Sequence, residues 1–125
     1  MSNVIFMDER TSKKPQRLGT LRDRRYAIRF PFAADAEMID LASGLRTEGV
    51  TSDLSPGGCF VCTSRPLEIN ARARLVLRRK NETMESLVIV RVVKPRIGMG
   101  VEIVGLDPPF DRVLARWIEQ LRRNP

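Results

Sequence analysis

From Ala33 onward, apolar and polar residues alternate in short runs punctuated by Gly, Asn and Pro, the period-two signature of strands. Six such runs are predicted: 33–41, 45–53, 58–63, 71–79, 84–95 and 98–104. Hairpin turns are expected at Ser43-Gly44, at Asn81-Glu82 and at Arg96-Ile97-Gly98. Val88, Val90 and Val92 alternate with Ile89, Arg91 and Val93, the mixed inward and outward pattern of barrel strands. Antiparallel closure is the natural outcome, because it removes exposed strand edges. Near the C-terminus the period changes. Phe110, Val113, Leu114, Trp117, Ile118 and Leu121 follow the i, i+3, i+4 rule and predict an amphipathic helix. Asp107 is its expected N-cap and Pro108 its first-turn residue. The helix is expected to cover one barrel opening with Trp117 inward, leaving Arg112, Arg116, Arg122 and Arg123 on or near the solvated side. The fold class is therefore mainly β: a six-stranded antiparallel barrel with a C-terminal α-helix and a flexible N-terminal arm.

The arm is read as residues 1–21 and the folded domain as 22–125. Val4-Ile5-Phe6-Met7 is too short, and too soon interrupted by Asp8 and Glu9, for a signal peptide or membrane span, so a cytoplasmic protein is expected. Residues 10–24 are polar and basic, with Pro15 and Gly19, and read as a segment that orders around a ligand. With 125 residues, 42% of them hydrophobic, the chain fits one domain with a modest core. The net charge of +7 is uneven, since residues 1–30 hold eight Lys or Arg against three acids. An even basic face would favour DNA or RNA. This distribution suits a small anionic ligand at the junction of arm and barrel equally well.

Catalysis finds little support. The chain has no histidine, Ser55 lacks a recognisable base, and the carboxylates show no paired spacing, so no enzyme is expected. Cys59-x-x-Cys62 has the spacing of a metal or redox pair. On a strand, however, an offset of three sends the thiols to opposite faces, and no histidine is present to complete a zinc site. Buried or half-buried strand cysteines are expected, with no metal and no cofactor.

The candidate chemistry lies in two motifs. Asp53-Leu54-Ser55-Pro56-Gly57-Gly58 places a carboxylate, a hydroxyl and two glycines in one tight turn before a strand-like run. Upstream, Arg25-x-x-x-Arg29 puts two guanidinium groups on a short extended segment ending at Phe30-Pro31, directly preceded by Arg24. Arg-x-x-x-Arg alone is unselective, because it recurs at Arg74 to Arg78 and at Arg112 to Arg116. Alone, the turn reads as a plain β-turn and the arginines as solvated charges. Their ordered conjunction resembles the PilZ family, whose signature is Arg-x-x-x-Arg followed by Asp or Asn-x-Ser-x-x-Gly. The resemblance runs from about residue 22 to the end.

That resemblance implies a PilZ-like barrel that binds the bacterial second messenger cyclic di-GMP, with Arg24, Arg25, Arg29, Asp53, Ser55, Gly57 and Gly58 as ligand-binding residues. The chemistry is consistent. Guanidinium forks pair with phosphate oxygens or with guanine O6 and N7, and stack on bases. Asp53 can accept from guanine N1–H and the exocyclic amine or hold an arginine, Ser55 can bridge either neighbour, and Gly57 and Gly58 permit positive φ and close backbone approach. In the family, an arginine at the position of Arg24 accompanies an intercalated ligand pair, which implies two ligands per protomer. Signalling would pass to a downstream protein partner. The alternatives are a PilZ-like adaptor that binds no nucleotide, and a basic barrel that binds single-stranded nucleic acid. The sparse aromatics weaken the latter, since Tyr26, Phe30 and Phe32 read as packing at the barrel entrance.

Overall fold

The computed structural model describes residues 28–124 and, before them, the backbone of two short strands, β1 (Asn3–Val4) and β2 (Phe6–Thr11), which form a separate two-stranded sheet. The rest of the predicted arm, together with Arg24, Arg25 and Tyr26, lies outside the described residues. After a two-residue strand β3 (Phe30–Pro31) come β4 (Asp35–Asp40), β5 (Arg46–Ser55), β6 (Gly58–Cys62), β7 (Arg72–Arg79), β8 (Glu82–Lys94), β9 (Gly98–Gly105) and helix α1 (Phe110–Arg123). The six long strands match the six predicted runs to within two residues at every boundary. Their order is β5-β4-β7-β8-β9-β6, and pairing of β6 back onto β5 closes the barrel, with every ladder antiparallel.

Alternation buries every second side chain in β4 and through most of β8. Met38, Leu54, Val61, Leu75, Leu77, Met84, Val88, Val90 and Met99 are fully enclosed. The alternation breaks at Val92, which is 48% exposed although Val88 and Val90 are buried. The cause is a β-bulge, because Val90 pairs with Val101 and Val92 with Gly100, leaving Arg91 unopposed. One extra residue flips every following side chain, so Val92 turns out and Val93 packs against the core.

The turns differ in detail from expectation. At Ser43-Gly44, Gly44 adopts φ 78° and its N–H donates to Asp40 O, while Asp40 Oδ1 accepts from Ala42 N and Ser43 N. The β7–β8 hairpin turns at Lys80-Asn81, with Lys80 at φ 57°, and Glu82 already belongs to the strand. At the β8–β9 turn, Arg96 has φ 62° and Gly98 is the first residue of β9.

Helix α1 closes one end with Trp117, which is 1% exposed, beside buried Leu114 and Ile118. Each such side chain contributes about 1.5–3 kcal/mol of apolar burial. The Trp117 ring lies 5.2 Å from that of Phe32, and its Nε1 donates to Glu82 Oε1 at 2.8 Å. Arg116 also binds Glu82, through Nε at 3.0 Å. The four helix arginines are exposed, as expected. The predicted cap is not found: α1 starts at Phe110 with Pro109 at the N-cap position and no side-chain cap bond. Asp107 contributes only its backbone carbonyl, which accepts from Phe110 N. Proline disfavours the helical region for the residue before it, and Asp107 and Pro108 each precede a proline, so the helix begins only after Pro109.

Candidate functional site

The segment before the barrel is laced along β5. Phe30 pairs with Leu54 and Pro31 with Asp53. Phe32 N donates to Ser52 O, and the buried Thr51 hydroxyl donates to Phe32 O at 2.7 Å while accepting from Ala34 N. This clip directs the chain toward the Asp53 turn. Arg29, one residue before β3, thereby reaches Asp53 with Nη1 3.2 Å from Oδ1 and 3.3 Å from Oδ2.

Asp53 owes its outward direction to a second bulge. Thr51 pairs with Val61 and Asp53 with Phe60, so Ser52 is unopposed. Thr51 and Leu54 then both point inward, and Ser52 and Asp53 both face the groove. Asp53 Oδ1 also accepts from Phe60 N at 3.1 Å, which fixes the carboxylate across the β5–β6 ladder.

Ser55 and the glycines sit differently. Ser55 is 6% exposed, and its hydroxyl accepts from Gly57 N and donates to Gly58 O, both at 3.2 Å. It braces the turn from inside. Gly58 is required for close approach, because a Cβ there would lie 2.0 Å from Val101 O on β9. Positive φ, expected of these glycines, is found instead at Gly44.

Register assembles the remainder. Pro31, Asp53, Phe60, Gly100 and Val92 stand in one row across β3, β5, β6, β9 and β8. On the outer barrel face Asp53, Phe60, Gly100 and Val92 of this row floor a groove of about 390 Å³, lined also by Arg29, Ser52, Lys94 and Ile97. Among the described residues, Arg29 and Lys94 are its cations and Asp53 its anion. Sequence reasoning missed Ser52, Phe60, Val92, Lys94, Ile97 and Gly100, since they converge only through strand pairing and the bulge. The place of Phe60 two residues after Gly58 was the one available signal.

The cysteines diverge as predicted, with one difference. Cys59 is buried and Cys62 exposed rather than half-buried. Burial foremost, and the Asp53 carboxylate next, push the Cys59 thiol up to about 12, with Arg29 opposing. Among the described residues, no group of three or more His, Cys, Asp or Glu side chains could hold a metal ion, and no helix is long and apolar enough to cross a membrane.

Residues 23–120 match the family model for the PilZ domain. The fold is similar to the PilZ domain of CeSA from a cellulose-synthesizing bacterium, at 19% identity and TM-score 0.61, covering 77% of this chain and 99% of that one. It is also similar to the PilZ domain of YcgR from Escherichia coli, solved with cyclic di-GMP, at 17% identity and TM-score 0.65, covering 80% and 92%. The Bacillus subtilis inhibitor of motility MotI aligns at 18% identity and TM-score 0.61, over 78% of this chain and 52% of that one. No curated protein matches the chain significantly.

Proposed function

Since the chain belongs to the PilZ family, we propose that it is a non-catalytic receptor for cyclic di-GMP in bacterial second-messenger signalling. The observation that carries this reading is the Arg29–Asp53 pair on the rim of the outer groove. A guanidinium and a carboxylate held together there offer a base edge both donors and acceptors, and the guanidinium can turn to a phosphate. The pair is 57% exposed on the arginine side, so solvent screens it and a ligand can recruit Arg29 at small cost. Arg24 and Arg25 complete the cationic set from the preceding segment. Asp53 receives the guanine edge, while Ser55, Gly57 and Gly58 act by holding the turn that carries it.

Each charge-assisted contact contributes roughly 1.5–3 kcal/mol. Two or three arginines with base stacking therefore account for the approximately −8 kcal/mol of a micromolar complex. Arg24 supplies a further planar cation for a stacked pair of dinucleotides, so two ligands bind per protomer. Binding reorganises the segment carrying the arginines, and the changed surface is read by a downstream protein in the cytoplasm.

Equilibrium binding of labelled cyclic di-GMP to single variants tests the site. Arg25→Ala, Arg29→Ala and Asp53→Ala each weaken binding about tenfold or more. Arg78→Ala, whose guanidinium lies 3.7 Å from Glu37 on the β4–β7 side, has little effect. Equal losses at the three arginines, motif and control alike, would point to diffuse electrostatics instead.

A further inference from the structure

The side of the groove opposite Arg29 is built around one aromatic ring. Phe60 projects from β6 over β9, where its ring spans Gly98 and Gly100. A Cβ on Gly98 would come within 2.6 Å of Phe60 Cε2, and one on Gly100 within 3.8 Å of Cδ1. Bare backbone at these two positions lets the ring lie low against the sheet. Val92 and Ile97, 48% and 61% exposed, flank it. Lys94 holds its ammonium 5.5 Å from the ring centroid. An aromatic ring beneath a cation, beside an arginine–carboxylate pair, is a surface for a planar, electron-rich, anionic molecule.

We propose that Phe60 is the stacking platform for one guanine of the ligand, and that Lys94 is the cation that moves from the ring to the incoming dinucleotide. The inference rests on the cyclic di-GMP reading and adds to it the wall of the site that the motif residues do not form. Magnitudes decide the exchange. An exposed cation–π contact is worth about two- to fivefold in an equilibrium constant, whereas base–aromatic stacking is worth about five- to 150-fold. A base therefore displaces the ammonium from the ring. At the ring's edge the ammonium meets a phosphate oxygen or the guanine O6 and N7 acceptors. Asp53 is bound to the backbone N–H of Phe60 itself. The carboxylate and the platform thus share one rigid ladder, and a base on the ring has its polar edge within the same groove.

The test is titration of cyclic di-GMP into the wild type, Phe60→Leu and Lys94→Ala, with nuclear Overhauser contacts measured between guanine H8 and the Phe60 ring. Leucine keeps apolar cover over Gly98 and Gly100 but removes the π face. Lys94 is exposed, so its alanine variant leaves the fold intact. Affinity should fall about tenfold in Phe60→Leu, and about three- to fivefold in Lys94→Ala with a shallower salt dependence. The H8–Phe60 contact should be present in the wild type, a readout that a purely structural phenylalanine would not give. Wild-type binding with both variants within twofold, or without the H8–Phe60 contact, overturns this inference alone. No saturable wild-type binding overturns the cyclic di-GMP reading and this inference with it.

Discussion

Gly58→Ala separates what the motif glycine does for the barrel from what the site does for a ligand. A Cβ at Gly58 would stand 2.0 Å from Val101 O, 3.1 Å from its carbonyl carbon and 3.3 Å from Glu102 Cα. A carbon–oxygen contact relaxes at about 3.3 Å, so β9 must retreat by more than an ångström. The neighbours are backbone in a closed ladder and cannot swing aside. Gly58 pairs with Glu102, and the adjacent Ile103 N donates to Gly57 O at 2.8 Å. Overpacking costs about 1–3 kcal/mol, and each strained ladder bond about 1 kcal/mol more. The sum is roughly 3 kcal/mol. Gly44→Ala is the control: its Cβ would meet nothing within 4 Å, so only φ 78° opposes it, at about 1 kcal/mol. Urea unfolding followed by the fluorescence of buried Trp117 measures both. At a slope of about 1.5 kcal/mol/M, Gly58→Ala lowers the midpoint by about 2 M and Gly44→Ala by under 1 M. Equal midpoints for Gly58→Ala and wild type would refute the steric reasoning.

Two further perturbations probe the contact of the helix with β8 and the thiols. Glu82→Ala leaves the indole N–H of Trp117 without its acceptor and, with allowance for the partial exposure of Glu82, costs about 1 kcal/mol in chemical denaturation. The hydrogen bonds from Arg116 and then Trp117 hold the Glu82 carboxyl below its usual 4.5. A depressed carboxylate pKa stabilises the fold above the unfolded-state value and ceases to do so as pH falls through the folded one. The stability gap between wild type and Glu82→Ala should therefore be constant near neutrality and shrink below about pH 4.5; a gap independent of pH would contradict the assignment. For the cysteines, a thiol-specific chromogenic reagent at pH 8 should modify Cys62 alone in folded protein and Cys59 only after unfolding, because burial removes Cys59 from solvent and pushes its thiol up to about 12. Two fast-reacting thiols per folded chain would overturn this.

The barrel was legible because alternation is a local signal, and each of six runs declared its own inward face. The helix declared itself through the spacing of Leu114, Trp117 and Ile118. What escaped was set by single inserted or restricting residues and by strand pairing. The unopposed Ser52 and Arg91 turn Asp53 and Val92 outward, and nothing in either local pattern marks a bulge. Pro109 overrode Asp107 as the start of α1 through backbone restriction, which a search for capping side chains does not weigh. At the site, Asp53 and Arg29 were legible as a motif, and the structure brings them within 3.2 Å. The Ser55 hydroxyl was read as a bridge to its neighbours, and in the turn it joins Gly57 N to Gly58 O. Phe60 and Lys94 lie thirty-four residues apart and meet only because β6 and β8 both pair with β9.

Isothermal titration of cyclic di-GMP into the folded wild-type protein tests the central claim most directly. Saturable binding at micromolar ligand is predicted, with an endpoint of two ligands per chain that falls to one in Arg24→Ala. No saturable heat at tens of micromolar ligand, with the protein shown to be folded by its Trp117 fluorescence, would contradict the receptor reading.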